Sequence, residues 1–294
     1  MERLLILLMN ALFAATFPLG KIALQYAGPV FLTATRMLLA GSILFLYSYF
    51  KENKKIKVHK GDWWLFAKTS FFYIFLAFVP EFWALNYLTS IKTNLLWSAQ
   101  PFLAAILGFF ILSEKLNYKK LLALFIGFLG MLPIIFHADK GEQGMTQLFS
   151  ISLPELALFV AVFSTIYGWF LIKQLLDKGY SLSLINGITM SLGGLLCLVT
   201  SFGEQLFYHQ ELYNNFGAVF GYSLLLVLIS NVLAYGIYGY LLSRYSITFL
   251  SFSGFTCPLF GFLFSYLMGE TIPFSYIYGC ALIILGLYIF YLEE

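Results

Sequence analysis

Long apolar runs separated by short polar or turn-rich breaks make up most of this 294-residue chain. A helix needs roughly 20 mostly apolar residues to cross a bilayer core about 30 Å thick. The pattern therefore predicts an all-α integral membrane protein with ten transmembrane helices, here called spans 1 to 10. Their predicted ranges are 4–25, 29–50, 63–87, 91–113, 119–136, 153–175, 181–202, 217–243, 247–268 and 272–291.

The composition supports a membrane protein. Apolar residues make up 61% of the chain and charged residues 11%, whereas soluble domains carry about 25% charged residues. The net charge of +3 and the lack of a basic, aromatic-interleaved stretch argue against a nucleic-acid partner. All three cysteines lie in apolar runs and all three histidines in polar connections, so the sequence predicts no metal site and no cofactor.

Lysine and arginine are distributed unevenly among the connections between spans. The N-terminal segment and the even-numbered connections carry most of them, whereas the odd-numbered connections carry only Lys92 and Lys140. By the positive-inside rule, both termini are expected in the cytoplasm. The first apolar run is interpreted as span 1 and not as a cleaved signal peptide, because Lys21 occupies the place of a cleavage site.

The two halves of the chain resemble each other, because matching residues recur 152 to 157 positions apart. We therefore predict a duplicated five-helix unit, with residues 1–150 as the first copy and residues 151–294 as the second. Five is an odd number, so the second copy enters the membrane from the opposite side, as in the inverted repeats of many secondary transporters. The matching pairs are Lys21 and Lys173, Met37 and Met190, Gly41 and Gly194, Pro101 and Pro258, Glu114 and Glu270, and Gly130 and Gly286.

One apolar run in each half begins with a proline and ends with a glutamate. These runs are PFLAAILGFFILSE, starting at Pro101, and PLFGFLFSYLMGE, starting at Pro258. Because proline removes a backbone hydrogen bond, both prolines are predicted to kink their spans near the membrane centre. Glu114 and Glu270 lie at span ends, where each is either a solvated helix terminus or a partner of a neighbouring helix. The sequence leaves both interpretations open.

The stretch ALNYLTSIKTNLLWSAQPFLAAILGFFILSEKL, residues 84–116, resembles the signature of the EamA-type drug/metabolite transporters. FPLGKIAL and GPVFLTATRMLLAG are similar to the first two helices of that family, with Lys21, Pro29 and Arg36 at the expected positions. The second half departs from the pattern, with Thr189 where the first half has Arg36. The resemblance implies a ten-helix basket whose cavity is lined mainly by spans 1, 3, 4, 6, 8 and 9. It also implies secondary transport of a small metabolite by alternating access, and the sequence lacks a G-x-x-x-x-G-K-S/T phosphate loop for ATP.

Lys21, Arg36 and Glu81 are ionisable residues inside predicted spans. Such groups are costly in hydrocarbon and usually face a cavity or a partner. Glu81 directly follows Pro80, which loosens the helix beside it. We interpret Glu81 as an anionic anchor for an amine or another cation, or as a protonatable coupling site. The alternative is an ion pair with Arg36 or Lys21 that only holds helices together.

Polar and aromatic side chains share helix faces in spans 4, 6 and 8. Residues four and seven positions apart lie on one face of a helix. A cage of Trp and Tyr rings with one carboxylate suits a flat or cationic solute, whereas ordinary packing of the rings is the alternative. Besides Glu81, the predicted solute-binding residues are Trp97, Gln100, Tyr167, Trp169, Asn231, Tyr235 and Tyr238.

Two classes of function fit a membrane chain of this kind. The first is a metabolite carrier for an amino acid, an amine or an adenosyl metabolite such as S-adenosylmethionine. The excess of lysine over arginine is typical of an AT-rich genome, which favours the inner membrane of a host-dependent bacterium. The second is an intramembrane enzyme acting on a lipid, for which motifs such as H-E-x-x-H or G-x-S-x-G are lacking. Glycines in spans 5 and 10 indicate packing either within the bundle or between subunits, so a monomer and a homodimer both remain open.

Overall fold

A computed structural model describes residues 2–51, 58–112, 118–137, 147–148, 151–209, 211–245 and 247–291. Within these ranges the protein is almost entirely helical, apart from connections and one antiparallel pair of two-residue strands, β1 (Gln147–Leu148) and β2 (Ile151–Ser152). The helices are α1 (Glu2–Ala23), α2 (Pro29–Lys51), α3 (Trp63–Thr69), α4 (Leu76–Tyr87), α5 (Ser90–Trp97), α6 (Gln100–Leu112), α7 (Tyr118–Ile135), α8 (Leu153–Asp177), α9 (Leu182–Tyr208), α10 (Phe216–Leu226), α11 (Tyr235–Leu242), α12 (Ile247–Ser253), α13 (Cys257–Leu267) and α14 (Phe274–Tyr291).

Seven continuous helical stretches among the described residues are long and apolar enough to cross a membrane, and three shorter apolar helices accompany them. The prediction of an all-α membrane protein is confirmed at this level. The seven stretches are Glu2–Ala23, Pro29–Lys51, Lys60–Tyr87, Ser90–Phe110, Leu153–Asp177, Leu182–Phe207 and Phe216–Leu242, and the shorter helices are Leu121–Ile135, Cys257–Leu267 and Phe274–Gly286.

Two helices are interrupted directly before a proline. Helix α5 ends at Trp97, and Pro101 lacks the N–H that would bond to the Trp97 carbonyl in a continuous helix. In the second half, the 3-10 turn Gly254–Thr256 separates α12 from α13. There Pro258 lacks the N–H for the Gly254 carbonyl. The missing hydrogen bonds explain why the chain changes helix type at both places.

Two further stretches adopt the wider π-helical turn. Ser70–Phe75 joins α3 to α4, and Val227–Ala234 joins α10 to α11. Such turns are rare in proteins and are frequent at functional sites. They also rotate the residues that follow them, so a side chain can leave the face that simple α-helical spacing predicts.

Glycines allow two pairs of helices to pack with their backbones in contact. A Cβ placed on Gly130 of α7 would lie 2.8 Å from the Gly279 carbonyl oxygen, and one on Gly279 of α14 would lie 2.6 Å from the Gly130 carbonyl oxygen. Gly41 of α2 faces α9, where a Cβ would lie 2.5 Å from Ser191 Oγ. Gly130 of span 5 and Gly279 of span 10 therefore pack against each other within the chain.

The Glu270 carboxylate binds the first turn of a neighbouring helix. Its Oε1 accepts a hydrogen bond from the Ser90 N–H at 2.9 Å, and its Oε2 accepts one from the Ile91 N–H at 3.1 Å. These N–H groups have no partner within α5, and the helix dipole favours a negative charge there. Glu270 is therefore a partner of a neighbouring helix and not a solvated helix terminus. Glu114 lies outside the described residues.

Replacing Glu270 with alanine is expected to destabilise the protein modestly. Loss of a helix cap costs about 0.5–2 kcal/mol, so the Tm of the purified protein should fall by a few degrees. Glu211→Ala is the matched control, because Glu211 is exposed and its truncation should leave the Tm unchanged. An equal Tm for Glu270→Ala and wild type would contradict the capping role.

Candidate functional site

A cavity lies between α1, α2, α4, α5, α6, α8, α11, α12 and the start of α13. Its volume is about 60 Å³, and since roughly 10–15 Å³ holds one water, it has room for a few water molecules. A metabolite can therefore occupy it only if the lining side chains or helices move apart. Both helix interruptions border this space, because Ser98 and Gly254 line it.

Eight residues that the sequence singled out come together around this cavity. They come from both halves of the chain, so the fold brings together residues that are far apart in the sequence. The eight are Arg36, Glu81, Trp97, Gln100, Pro101, Trp169, Tyr235 and Tyr238.

Lys21 does not line the cavity. Its ammonium group donates to three backbone carbonyls at the C-terminal end of α4, those of Leu85, Asn86 and Leu88, at 2.6, 3.0 and 2.8 Å. A cation at this position satisfies carbonyls that the helix itself leaves open and interacts favourably with the helix dipole. Lys21 thus ties α1 to the end of α4.

Tyr167 and Pro258 also lie outside the cavity lining. The Tyr167 ring packs edge-on against Phe72 with centroids 4.9 Å apart, and the Lys68 ammonium lies 5.0 Å from the Tyr167 ring centroid. Trp169 faces the cavity instead, because residues two positions apart point to different sides of a helix. Pro258 is buried within α13.

Asn231 lies behind the cavity wall and not on it. It belongs to the π-helical segment Val227–Ala234, so the spacing of four residues to Tyr235 no longer places both on one face. Its Oδ1 accepts a hydrogen bond from Arg36 Nε at 2.9 Å. Asn231 is therefore in a position to orient Arg36.

Arg36 reaches the cavity from α2 with its side chain almost fully buried, at 1% exposure. Besides the bond to Asn231, its Nη2 donates to Ser230 Oγ at 2.8 Å, and the guanidinium carbon lies 4.9 Å from the Phe78 ring centroid. An arginine carries five N–H donors in a planar fork that suits carboxylates. Two of them hold the group in place, which leaves donors for an anionic group in the cavity.

Glu81 lines the cavity from α4 and is 6% exposed. Its Oε2 atom has no hydrogen-bond partner among the described residues. Of the two cations considered as partners, Arg36 donates its hydrogen bonds to Asn231 and Ser230 and attracts Glu81 only electrostatically, and Lys21 binds backbone carbonyls. A buried carboxylate oxygen without a partner is costly, so the site suits a ligand that brings a cation or a hydrogen-bond donor.

Aromatic rings form one wall of the cavity and pack on each other. Trp169 and Tyr238 stack with ring centroids 3.9 Å apart, and Tyr235 meets Trp169 edge-on at 5.4 Å. Phe13 of α1 approaches Tyr235 at 5.4 Å. These rings therefore fit both interpretations made from the sequence. They pack against one another, and they also face the cavity.

Sequence reasoning missed the uncharged polar residues of the lining. One signal was available, because Asn94 lies three positions before Trp97 and therefore on the same face of α5. The other residues had no distinguishing spacing among apolar neighbours. The polar members missed are Asn10, Thr16, Asn94, Ser98, Thr165, Ser230 and Ser251.

Side-chain contacts join the helices at the end of the bundle opposite Glu270. Glu2, at the start of α1, accepts hydrogen bonds from Arg244 Nη1 and from the Tyr245 hydroxyl, both at 2.5 Å. The bond to the Glu2 carboxylate raises the pKa of Tyr245 above its usual value. Asp62 likewise binds Lys178 and accepts from the Tyr180 hydroxyl. These contacts hold the helices together at that end of the bundle.

Comparison with known proteins identifies the family. The model of the EamA-like transporter family matches residues 1–136 and 152–292. The chain belongs to the EamA-like transporter family. This membership makes the protein a transporter, and the membrane enzyme considered as the alternative is set aside.

Several relatives of this transporter carry names that describe a solute. A protein of Chlamydia muridarum named "S-adenosylmethionine/S-adenosylhomocysteine transporter" is 32% identical over 99% of this chain and 91% of its own length. A protein of the same name from Chlamydia trachomatis serovar D is 31% identical over 99% of this chain and 89% of its own. A "Probable amino-acid metabolite efflux pump" of Salmonella typhimurium is 25% identical over 97% and 93%.

A solved crystal structure shares the fold of this transporter. It aligns with a TM-score of 0.66 at 16% identity, covering 98% of this chain and 96% of its own. At this identity the likeness concerns the arrangement of helices alone.

Proposed function

We propose that this transporter carries S-adenosylmethionine and S-adenosylhomocysteine across a bacterial inner membrane by alternating access. The observation that carries the proposal is the joining of Glu81, Arg36 and an aromatic wall in one cavity. The names of the chlamydial relatives support the same solutes. The protein then acts as a secondary transporter, without ATP and without a cofactor.

The proposed architecture has ten spans in two inverted five-helix repeats, residues 1–150 and residues 151–294. In support, unusual backbone features recur at the same interval. The π-helical segments begin at Ser70 and Val227, which are 157 residues apart, and Pro101 and Pro258 are separated by the same interval. Interrupted helices in corresponding positions of two halves are a mark of transporter binding sites.

Opening of one end at a time is the proposed transport step. The contacts of Glu270 and Lys21 hold the helices together at one end, and those of Glu2 and Asp62 do so at the other. In an alternating-access cycle, one set separates while the other stays closed. The small volume of the cavity supports a solute-dependent opening, because the solute does not fit the closed arrangement.

Glu81 and Arg36 are proposed to bind the amino-acid end of the solute. Both S-adenosylmethionine and S-adenosylhomocysteine carry an α-ammonium and an α-carboxylate. The ammonium supplies the donor that Glu81 Oε2 lacks among the described residues. The guanidinium of Arg36 suits the carboxylate, since charge-assisted hydrogen bonds of this kind are the strong ones.

The aromatic residues are proposed to hold the rest of the solute. A sulfonium cation is attracted by the faces of Trp and Tyr rings, and a purine stacks on them. Trp97, Trp169, Tyr235 and Tyr238 offer such faces around the cavity, and Gln100 adds a hydrogen-bonding amide. Tyr167 and Asn231 are excluded from direct contact in this proposal because they lie outside the lining.

Transport of a plain amino acid or an amine is the second candidate. Glu81 and Arg36 alone are sufficient to bind an amino acid, and the relative in Salmonella typhimurium carries a name of that kind. The two candidates differ in whether the purine contributes to binding.

The remaining features of the proposal concern placement in the cell. The distribution of lysine and arginine supports cytoplasmic N- and C-termini. The protein is proposed to work as a monomer or a homodimer, and Gly130 and Gly279 pack against each other within the chain in either case. A small solute and the lipid bilayer are its partners, and no nucleic-acid partner is proposed.

A ligand screen followed by uptake measurements tests the solute. S-Adenosylmethionine and S-adenosylhomocysteine are expected to raise the Tm of the purified protein, because a ligand at 100 times its Kd stabilises the folded state by about 2.7 kcal/mol. Both should also enter proteoliposomes without ATP. Stabilisation by amino acids but by neither adenosyl compound would favour the second candidate, and no response to either class would refute both.

A further inference from the structure

Asn94 is a buried amide with both of its polar side-chain atoms unpartnered. It lies on α5, is 1% exposed and lines the cavity. Neither its Oδ1 nor its Nδ2 has a hydrogen-bond partner among the described residues. Buried polar groups are nearly always hydrogen-bonded, so an amide with both atoms open to a cavity indicates a ligand that supplies one acceptor and one donor.

An aromatic ring lies beside the Asn94 amide. Trp97 lies one turn further along α5 on the same face and is half-buried, so its ring remains accessible. Behind the amide lies Gly261 of α13, where a Cβ would come within 2.7 Å of Asn94 Nδ2. A side chain at position 261 would therefore displace the amide from its place.

Asn94 has a counterpart in the second half of the chain. Ser251 of α12 lies 157 residues later and also lines the cavity, beside the Tyr238 hydroxyl. Both precede the helix interruption of their own half. The two residues differ in chemistry, because only the amide presents a donor and an acceptor side by side.

Resting on the proposed function, we propose that Asn94 reads the purine edge of the solute. Its Oδ1 accepts a hydrogen bond from the 6-amino group, its Nδ2 donates to the adjacent ring nitrogen, and the base stacks on Trp97. Adenine presents this neighbouring donor and acceptor, and Asn binds it with two parallel hydrogen bonds. Glu81 and Arg36 then select the amino-acid end, while Asn94 separates adenosyl solutes from plain amino acids.

The test compares S-adenosylhomocysteine with its analogue that lacks the 6-amino group. The wild-type protein should bind S-adenosylhomocysteine more tightly by roughly 5- to 150-fold, since the analogue leaves Oδ1 unpartnered. In Asn94→Leu, which keeps the size of the side chain, this preference should fall to about one. Asn94→Ala should do the same, and it tests the proposal even if leucine disturbs folding. Affinities are measured by calorimetry on the purified full-length protein.

Asn186→Leu provides the matched control. Asn186 of α9 is 2% exposed and its Oδ1 is unpartnered among the described residues, but it does not line the cavity. This variant should keep the wild-type preference. If the wild type binds S-adenosylhomocysteine but ignores the 6-amino group, or if folded Asn94 variants keep the preference, the role of Asn94 is refuted and the proposed function stands. If the wild type binds neither compound, the proposed function fails and the inference fails with it.

Discussion

Glu81→Gln is expected to weaken binding of S-adenosylmethionine and S-adenosylhomocysteine by roughly 30- to 4,000-fold. Truncating one partner of a buried charge pair costs about 2–5 kcal/mol, and each 1.4 kcal/mol is about tenfold in affinity. The substitution keeps the shape of the side chain and removes its charge. Because both solutes carry the α-ammonium, both should be affected, and uptake into proteoliposomes should fall in parallel.

Glu204→Gln is the control for this result. Glu204 of α9 lies just beyond the predicted span 7 and is half-buried, but it does not line the cavity, so its neutralisation should leave affinity unchanged. A much larger loss for S-adenosylmethionine than for S-adenosylhomocysteine would place the carboxylate against the sulfonium. Normal binding and uptake by a stable Glu81→Gln protein would show that the charge is dispensable.

Lys92→Met is expected to lower the Tm on the order of 10 °C. The Lys92 ammonium lies 2.9 Å from Glu155 Oε1, with side-chain exposures of 0% and 1%, and it donates to the His137 carbonyl at 2.8 Å. The pair joins α5 to α8. Removing one partner of a buried ion pair costs about 3–5 kcal/mol because the other charge remains buried, and each kcal/mol shifts the Tm by a few degrees.

The double variant Lys92→Met with Glu155→Gln should recover most of that loss. Glutamine removes the buried charge, and it can still complete the capping box that Glu155 forms with Ser152 at the start of α8. Lys173→Met serves as the control, since Lys173 and Asp177 form an exposed pair and such pairs contribute about 0–1 kcal/mol. Equal Tm values for the two lysine variants would rule out the proposed strength of the buried pair.

Apolar run lengths were sufficient to predict an all-α membrane protein, because hydrocarbon restricts the chain to helices of known length. Motif spacing was sufficient to predict the transporter family. Residues with a strong chemical signal, such as Glu81, Arg36 and Trp169, also came together in the structure, because a charge or a large ring inside a span has few places to lie.

Other features of the site could not be predicted, because they depend on backbone geometry that the amino-acid sequence does not show directly. Asn231 left the predicted face because Val227–Ala234 forms a π helix, which regular spacing cannot anticipate. Lys21 and Glu270 bind helix ends that are distant in sequence, so their partners depended on the packing of whole helices. Asn94 went unnoticed because a single amide in an apolar run is weak evidence until its unpartnered atoms are seen.

The unpartnered polar atoms of the closed cavity bear on the direction of flux. Glu81 Oε2 and the two polar side-chain atoms of Asn94 have no protein partner in the described part of the chain, and a buried polar group left without any partner costs about 1–3 kcal/mol. A bound solute supplies the missing partners. The free-energy barrier for passing through the closed state is therefore lower with solute bound than without it. Under the proposed alternating-access cycle, this favours counter-exchange of one solute molecule for another over one-way accumulation.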